Sequence, residues 1–221
     1  CMRYWVANCL TSHLVVGSTV GPNIFVKICG YSTSQISREL IVQIKDEFGK
    51  IPRRLKLLNV CGGGSSSYGF WSSFMDYDKR QVEFVGIEAG GPKKSKLHAA
   101  PLTNNSKIGS LHGAAQYVIQ DKDGQIGLTD SISAGLDYSG ISPLHCFLKD
   151  TKRARYTSAT DEEALSAYKL VSSMENISPS LEPAHAFAEA IKIAPKLSKD
   201  TVIIVNSCLL YTSDAADEWI G

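Results

Sequence analysis

The feature that most restricts the fold of this chain is a short apolar run that leads directly into a glycine-rich turn. Residues 55–60 have the continuous apolar character of a strand that is buried on both faces. Three glycines and three serines follow at 62–67, and then come a helix-like stretch at 68–75 and a second apolar run at 82–87. The order of strand, turn, helix and strand predicts a βαβ unit with two parallel strands and a right-handed crossover.

Three more segments have the patterns of helices. Apolar residues recur every four positions between 34 and 48, which predicts an amphipathic helix. Thr160 and Glu163 have the spacing of a capping box, so a helix is expected over 161–174. A further helix is expected over 182–193, because a proline follows it closely.

The remaining apolar runs have the patterns of strands. We expect strands at 14–16, 24–26 and 202–205, and a β-hairpin whose turn is the Asp-Lys-Asp-Gly sequence at 121–124. Strands that alternate with helices favour an α/β domain with a mainly parallel sheet flanked by helices. In such sheets ligands bind beyond the carboxyl ends of the strands.

Charge and cysteine content exclude several classes of protein. Lys and Arg number 23 and Asp and Glu number 22, so no broad basic field is present to hold nucleic acid or a membrane surface. No cysteine pair has the C-x-x-C spacing of a zinc site, and the spacings do not suggest a disulfide framework. We therefore expect reduced thiols in a cytoplasmic protein with no nucleic-acid or membrane partner. The cysteines lie at positions 1, 9, 29, 61, 146 and 208.

The glycine-rich turn is the sharpest chemical signal in the sequence. Gly62, Gly63 and Gly64 remove side chains, so that backbone N–H groups can converge on an anion at the start of the next helix. Ser65 and Ser66 add hydroxyl donors. The turn lacks the lysine of a P-loop and the spacing of a dinucleotide fingerprint. The pattern favours a cofactor with a single phosphate, and the alternative is a flexible turn with no ligand.

Nine separate motifs, in this order, closely resemble those of the tryptophan synthase beta chain family. The resemblance runs from about residue 2 to about residue 207, and a set of this size is far more specific than one glycine turn. The motifs are Arg3-Tyr-Trp-Val, Cys61-Gly-Gly-Gly-Ser, Val85-Gly-Ile-Glu-Ala-Gly-Gly, His98-Ala-Ala-Pro-Leu-Thr, Leu111-His-Gly, Gln120-Asp-Lys-Asp-Gly-Gln-Ile, Ser131-Ile-Ser-Ala-Gly-Leu-Asp-Tyr, Thr160-Asp-Glu-Glu-Ala-Leu and Leu181-Glu-Pro-Ala-His-Ala.

The resemblance implies a pyridoxal 5'-phosphate (PLP) enzyme of fold type II. Members of the family are lyases that condense L-serine with indole to give L-tryptophan and water, in tryptophan biosynthesis. Two beta chains assemble with two alpha chains, which supply indole through a tunnel. A monovalent cation, Na⁺ or K⁺, tunes the beta site. These partners, substrates and cofactors are expectations that come from the resemblance.

By the match of motifs, the glycine-rich turn corresponds to the loop that holds the PLP phosphate in the family. Gly62, Gly63, Gly64 and Ser65 match that loop, and Ser66 stands where the family usually has asparagine. A serine hydroxyl donates one hydrogen bond where an asparagine amide can donate two. The resemblance therefore predicts a phosphate site with one altered contact.

Two acids match family residues with roles in catalysis. Glu182 matches the glutamate beside the cofactor ring, although an acid at a helix N-terminus is also favoured by the helix dipole alone. Asp137 matches the acid that senses the serine hydroxyl and helps to close the site, although a loop aspartate often bonds its own backbone.

The resemblance also assigns a ring-nitrogen contact and a cation site. Cys208 stands where the family has a serine that hydrogen-bonds the pyridine nitrogen, so either a thiol replaces that hydroxyl or Cys208 belongs to a foreign end. The backbone carbonyls of Gly62, Tyr138 and Gly140 match the monovalent cation site. Carbonyl ligands depend little on side chains, so the sequence tests them weakly.

The matched motifs correspond to the C-terminal half of a family member. We expect 1–35 to be a remnant of the smaller N-terminal domain and 36–208 to be the larger, incomplete domain that binds the cofactor phosphate. Residues 209–221 resemble translated sequencing-adapter sequence. The family's cofactor-binding lysine, its indole-guarding glutamate and its carboxylate-binding loop have no counterpart here. We therefore expect the truncated chain alone to be inactive.

Three other functions stay open at the level of sequence. The chain could derive from another fold type II PLP enzyme that replaces or eliminates a β-substituent. It could be a non-catalytic module that binds PLP or an alpha-like partner. The least favoured interpretation is a glycine-rich nucleotide-binding domain, because the nucleotide signatures are missing.

Overall fold

The computed structural model describes residues 8–11, 18–21, 23–104 and 106–207, and its centre is a parallel sheet of four strands in the order β5-β2-β1-β6. The strands are β1 (Leu55–Val60), β2 (Val82–Ala89), β3 (Lys107–Leu111), β4 (Ala114–Val118), β5 (Ala154–Ala159) and β6 (Val202–Val205). The α-helices are α1 (Asn23–Thr33), α2 (Gln35–Phe48), α3 (Ser65–Trp71), α4 (Pro143–Asp150), α5 (Asp161–Glu175) and α6 (Leu181–Ile193). Strands β3 and β4 form a separate antiparallel pair. The predicted α/β architecture is confirmed.

The two faces of the sheet carry separate apolar clusters, because neighbouring residues of a strand point to opposite sides. Leu57 packs on one side with Trp71 and Phe84, whose rings stack with their centroids 5.2 Å apart. Leu58 packs on the other side with Ala186 of α6. The sheet is therefore covered by α3 on one face and by α6 on the other, as a parallel sheet requires.

Several predicted elements have the ends that the sequence indicated. Helix α2 ends at Gly49, which is left-handed at φ 70°. The capping box of α5 is present, since the Thr160 hydroxyl accepts from the Glu163 N–H at 3.3 Å and the Glu163 carboxylate accepts from the Thr160 N–H at 2.9 Å. The helix predicted over 182–193 is α6, and the strand predicted at 202–205 is β6.

The strand predicted at 24–26 is wrong, because these residues lie in helix α1. Val26 and Gly30, four positions apart, are buried on one face of that helix. A Cβ atom added to Gly30 would lie 3.1 Å from the Tyr68 ring, so the helix packs closely against α3. Tertiary packing therefore selects helix over the local strand preference. The other predicted strand, at 14–16, lies outside the described residues.

The β-hairpin expected around 121–124 is also wrong in part. The turn is present, but only a single bridge, between Gln120 and Ile126, joins its two arms. The Asp121 carboxylate accepts hydrogen bonds from two backbone N–H groups of its own turn. These bonds stabilise the turn locally and do not extend the pairing of the two arms. The hairpin of this region is formed by β3 and β4 around residues 112–113, where both φ angles are positive.

The predicted domain limits at residues 35 and 208 remain predictions, and 209–221 lie outside the described residues. Within the described ranges, no helix is both long enough and apolar enough to cross a membrane. The same ranges contain no group of three or more His, Cys, Asp or Glu side chains that could hold a metal ion.

A buried carboxyl group at the end of β2 ties the following loop to the sheet. Glu88 accepts hydrogen bonds from the Leu102 N–H at 2.9 Å and from the N–H and hydroxyl of Thr103, each at 2.9 Å. Burial raises the pKa of Glu88 from its ordinary value to about 7, although these hydrogen bonds and the nearby Lys149 oppose the rise. The protonated form of Glu88 is therefore favoured by folding.

We predict that Glu88→Gln removes a pH dependence of stability. Because the pKa is higher in the folded state, the wild-type protein loses stability as pH rises from about 4.5 to about 7, by up to about 3 kcal/mol relative to the variant. Urea unfolding across this range measures the difference. The exposed Glu175→Gln serves as the control for the substitution itself. A constant difference between wild type and Glu88→Gln would contradict the prediction.

Candidate functional site

The glycine-rich turn lies between β1 and α3, at the carboxyl end of the strand. Strand β1 has parallel neighbours on both sides, β2 and β6, so the carboxyl ends of three strands meet at this edge. Such an edge is where open α/β sheets bind their ligands. The sequence-predicted residues Gly62, Gly63, Gly64, Ser65 and Ser66 are all at this position.

Each of the three glycines is in close contact with another segment, and the contacts of Gly62 and Gly64 leave no room for a side chain. A Cβ atom added to Gly62 would lie 2.6 Å from the carbonyl oxygen of Gly135, and one added to Gly63 would collide with the Ser18 hydroxyl. Gly64 has a φ of 99°, and a Cβ atom there would lie 2.8 Å from the His145 Nε2 atom. The glycines therefore allow three different parts of the chain to pack against the turn.

His145 holds the turn from the protein side. Its Nε2 atom lies 2.8 Å from the Gly64 carbonyl oxygen, and its Nδ1 atom lies 2.8 Å from the Tyr156 hydroxyl. A carbonyl oxygen can only accept, so Nε2 carries the proton and Nδ1 accepts from Tyr156. Burial lowers the pKa of His145 to about 4, against the effect of the Gly64 carbonyl. The imidazole is therefore neutral near pH 7 and keeps this one tautomer.

The opposite side of the turn presents hydrogen-bond donors. Within the part of the chain that the structure describes, the backbone N–H groups of 63–66 have no acceptor, whereas the Tyr68 N–H bonds the Gly64 carbonyl oxygen at 3.1 Å. The Ser65 hydroxyl likewise has no hydrogen-bond partner among the described residues. Backbone N–H groups with adjacent hydroxyls are the donor set that phosphate oxygens accept from, so the turn fits a phosphate group.

The Ser66 hydroxyl is held by two amide groups. Asn59, inside β1, donates through Nδ2 to the Ser66 oxygen at 3.1 Å, and Asn206, just beyond β6, donates through Nδ2 at 3.2 Å. Both asparagines lie near the carboxyl ends of neighbouring parallel strands. Ser66 is thus tied to both strands, although its sequence distance from Asn206 is 140 residues.

The loop at 133–140 brings the two predicted acids towards the turn. The Gly135 N–H donates to the Glu182 carboxylate at 3.0 Å, and Gly62 packs against the same glycine. Glu182 is therefore separated from the turn by a single residue of this loop. Asp137 lies two residues further along, with an exposed side chain, and its N–H bonds the Ser133 carbonyl oxygen at 3.1 Å.

Glu182 is a carboxylate in a half-buried position at the start of α6. Its burial alone would raise its pKa, but hydrogen bonds from its own N–H and from the Gly135 N–H outweigh that effect and lower the pKa. The charge also lies in the first turn of α6, where the helix dipole stabilises an anion. The site therefore contains a fixed negative charge beside the 133–140 loop.

The remaining predicted contacts are only partly described. Tyr138 and Gly140 lie on the loop that packs against Gly62, and the Tyr138 hydroxyl bonds His112 Nδ1 at 2.9 Å. The carbonyl cation site remains a prediction. Cys208 lies outside the described residues. The neighbouring Ser207 has a buried hydroxyl without a hydrogen-bond partner among the described residues.

Sequence reasoning missed the residues that support the turn. Asn59 had a visible signal, because it is the one polar side chain within the apolar end Leu57-Leu58-Asn59-Val60 of its strand. His145 had no such signal, since its bond to Gly64 spans 81 positions of the sequence. Its place at the start of a short helix gives no indication that it contacts the glycines.

We predict that Gly64→Ala destabilises the protein by about 3 kcal/mol or more, because it adds a clash with His145 to the cost of a left-handed residue. Gly124→Ala is the matched control, since Gly124 also has a positive φ, 78°, but has no atom within 4 Å of the added Cβ. The control should cost only about 1 kcal/mol. Thermal and urea unfolding measure both, and equal losses in the two variants would refute a specific contact with His145.

Two curated proteins of one family match the sequence of this chain. The tryptophan synthase beta chain of Bradyrhizobium sp. (strain ORS 278) is 41% identical over 207 residues, which are 94% of this chain and 50% of that protein. The tryptophan synthase beta chain of Chromobacterium violaceum is also 41% identical over 207 residues, 93% of this chain and 50% of that protein. The chain thus spans about half the length of these curated relatives. No family model matches the sequence.

The structural comparison agrees with the sequence comparison. The crystal structure of a threonine deaminase from T.th. superposes with a TM-score of 0.54 and 14% identity, over 86% of this chain and 61% of that one. This likeness concerns the fold, and with it the predicted fold class, fold type II of the PLP-dependent enzymes, is confirmed. The predicted relationship to the tryptophan synthase beta chain family is confirmed by the sequence comparison, over about half the length of the relatives.

Proposed function

We propose that these residues form the phosphate-binding half of a PLP-dependent tryptophan synthase beta chain, a lyase that condenses L-serine with indole to give L-tryptophan and water. The observation that carries the proposal is the turn at 63–66, whose N–H groups lack acceptors among the described residues. The names of the relatives at 41% identity agree with it.

PLP, when bound, supplies the electron sink for replacement at the β-carbon of an amino acid. We assign its phosphate to the N–H groups of Gly63 and Gly64 and to Ser65 and Ser66, which are the donors at the carboxyl end of β1. His145 orients these donors indirectly, because it occupies the Gly64 carbonyl oxygen on the opposite side of the turn.

We assign Glu182 to the side of the cofactor ring. Its carboxylate is fixed by the Gly135 N–H, and that glycine packs against Gly62, so the negative charge lies close to the phosphate turn. Asp137 is exposed on the same loop, where a carboxylate can accept a hydrogen bond from the hydroxyl of L-serine. Cys208 is assigned to the ring nitrogen through its place in the sequence alone.

The cation and the partners follow from the family. Backbone carbonyls of Gly62, Tyr138 and Gly140 provide the hard oxygen ligands that Na⁺ or K⁺ requires, and the three residues belong to segments that are in contact or adjacent in sequence. We further propose that the complete protein forms a beta-chain dimer, binds alpha chains and works in the cytoplasm.

We predict that the 221-residue chain binds PLP more tightly than pyridoxal, by about tenfold or more, because only PLP carries the phosphate that the turn accepts. Equilibrium dialysis of both compounds measures the ratio. Pyridoxal closes to an internal hemiacetal that PLP cannot form, so the two aldehydes react differently with surface lysines. Pyridoxine 5'-phosphate and pyridoxine, which have no aldehyde, are therefore compared in the same way. Ser65→Ala should lower the affinity for PLP and leave the affinity for pyridoxal unchanged. Ser173→Ala, at an exposed position, should change neither affinity. Equal affinity of the wild-type chain for the two compounds would overturn the proposal.

We predict that the same chain forms no tryptophan from L-serine and indole, even with saturating PLP. The 221 residues contain no counterpart of the family's cofactor-binding lysine, which acts both as covalent partner of PLP and as a base. Tryptophan is measured by chromatography after prolonged incubation, and a chain joined to the N-terminal half of a beta chain is the positive control. Turnover by the 221-residue chain alone would show that another residue takes over this role.

A further inference from the structure

Asn59 is a buried amide inside an otherwise apolar strand. Its side chain is fully inaccessible to solvent, and an amide in such a place is costly unless its hydrogen bonds are made. The Oδ1 atom accepts the N–H of Val60 at 2.8 Å, and the Nδ2 atom lies 3.1 Å from the Ser66 hydroxyl oxygen. Because an N–H can only donate, the bond from Val60 identifies the oxygen of the amide. The orientation of Asn59 is therefore fixed, with its N–H₂ group towards Ser66.

Asn206 approaches the same hydroxyl from the neighbouring strand. Its backbone N–H bonds the Leu58 carbonyl oxygen at 3.2 Å, which fixes the residue beside the end of β1. Its Nδ2 atom lies 3.2 Å from the Ser66 oxygen. Two amide groups on different strands thus donate to one hydroxyl oxygen.

A hydroxyl that accepts two hydrogen bonds retains only its role as a donor. Its oxygen has two lone pairs, and here Asn59 and Asn206 use both of them. Within the described part of the chain, the Ser66 proton has no acceptor. The hydroxyl lies beside the backbone N–H groups of residues 63–66, which also have no acceptor among the described residues.

We propose that Asn59 and Asn206 are positioning residues that commit the Ser66 hydroxyl to donate to the phosphate of the bound cofactor. The inference rests on the proposed function, since it requires a phosphate at the turn. A deprotonated phosphate ester offers only acceptors, which matches a site whose groups only donate.

The expected size of the effect follows from the freedom of the hydroxyl. A hydroxyl without fixed partners has about three staggered orientations, of which one suits the phosphate. After the loss of one asparagine the other still occupies one of the three positions, so the affinity for PLP should fall by about twofold, because the hydroxyl must then choose between two orientations upon binding. Loss of the hydroxyl itself removes a hydrogen bond to a charged group and should weaken PLP by about tenfold.

The test is a pair of double-mutant cycles on the 221-residue chain. The single variants are Ser66→Ala, Asn59→Ala and Asn206→Ala, and each asparagine change is combined with Ser66→Ala. Dialysis gives the dissociation constants of PLP and of pyridoxal, and urea unfolding gives the stability of each variant. The exposed Asn104→Ala is the control. Asn206→Ala keeps one cycle measurable if Asn59→Ala does not fold, because Asn206 is only half-buried.

Positioning through Ser66 has a specific signature. Each asparagine variant should lose about twofold in PLP affinity in the wild-type background and nothing further in the Ser66→Ala background. Pyridoxal affinity should not change in any of them. The ³¹P NMR shift of bound PLP should move in the single asparagine variants, and it should be the same in Ser66→Ala as in the corresponding double variants.

Three outcomes would overturn the inference, and they are distinguishable. If the asparagine losses persist in the Ser66→Ala background while wild type still prefers PLP, the asparagines act on the fold and the proposed function stands. If Asn206→Ala increases the affinity for PLP, the oxygen of the Asn206 amide, and not its N–H₂ group, faces Ser66. If wild type does not prefer PLP over pyridoxal, the proposed function fails together with the inference.

Discussion

The buried hydrogen bond between His145 and the Gly64 carbonyl oxygen is the contact on which the site depends. It requires a proton on Nε2, because a carbonyl oxygen only accepts, and burial keeps the imidazole neutral, so that Nδ1 accepts from the Tyr156 hydroxyl. It also requires a glycine, because the ring approaches too closely for any side chain at position 64. With the carbonyl held on the protein side, the adjacent N–H groups remain available on the other side.

The parallel sheet explains how residues that are distant in sequence converge at this turn. Strand β1 carries Asn59 and leads into the glycines, β2 ends next to the buried Glu88, and Asn206 follows β6. Because parallel neighbours end at the same edge, their last residues meet there without any local sequence signal. Glu88 ties residues 102–103 to the end of β2 at the same edge of the sheet.

Sequence patterns predicted the elements whose determinants are local. The capping box at Thr160 and the glycine after α2 lie within a few residues of the helix ends that they determine. The residues at 24–26 were predicted wrongly as a strand, because the packing of α1 against Tyr68 decides their structure. The glycines of the turn were found through their composition. The bonds of Ser66 to Asn206 and of Gly64 to His145 span 140 and 81 positions, and no local pattern encodes them.

The three glycines have a structural reason that is independent of any ligand. The Gly135 backbone and the buried His145 ring leave no room for a Cβ atom at Gly62 and Gly64, and the Ser18 hydroxyl lies against Gly63, so packing accounts for much of the run Gly-Gly-Gly. A glycine-rich turn is therefore weaker evidence for phosphate than its composition suggests. The stronger evidence lies in the polar groups, because N–H groups without acceptors among the described residues and a hydroxyl whose lone pairs are both used require an acceptor from elsewhere. Under the proposed function a phosphate ester, in place of water, is that acceptor.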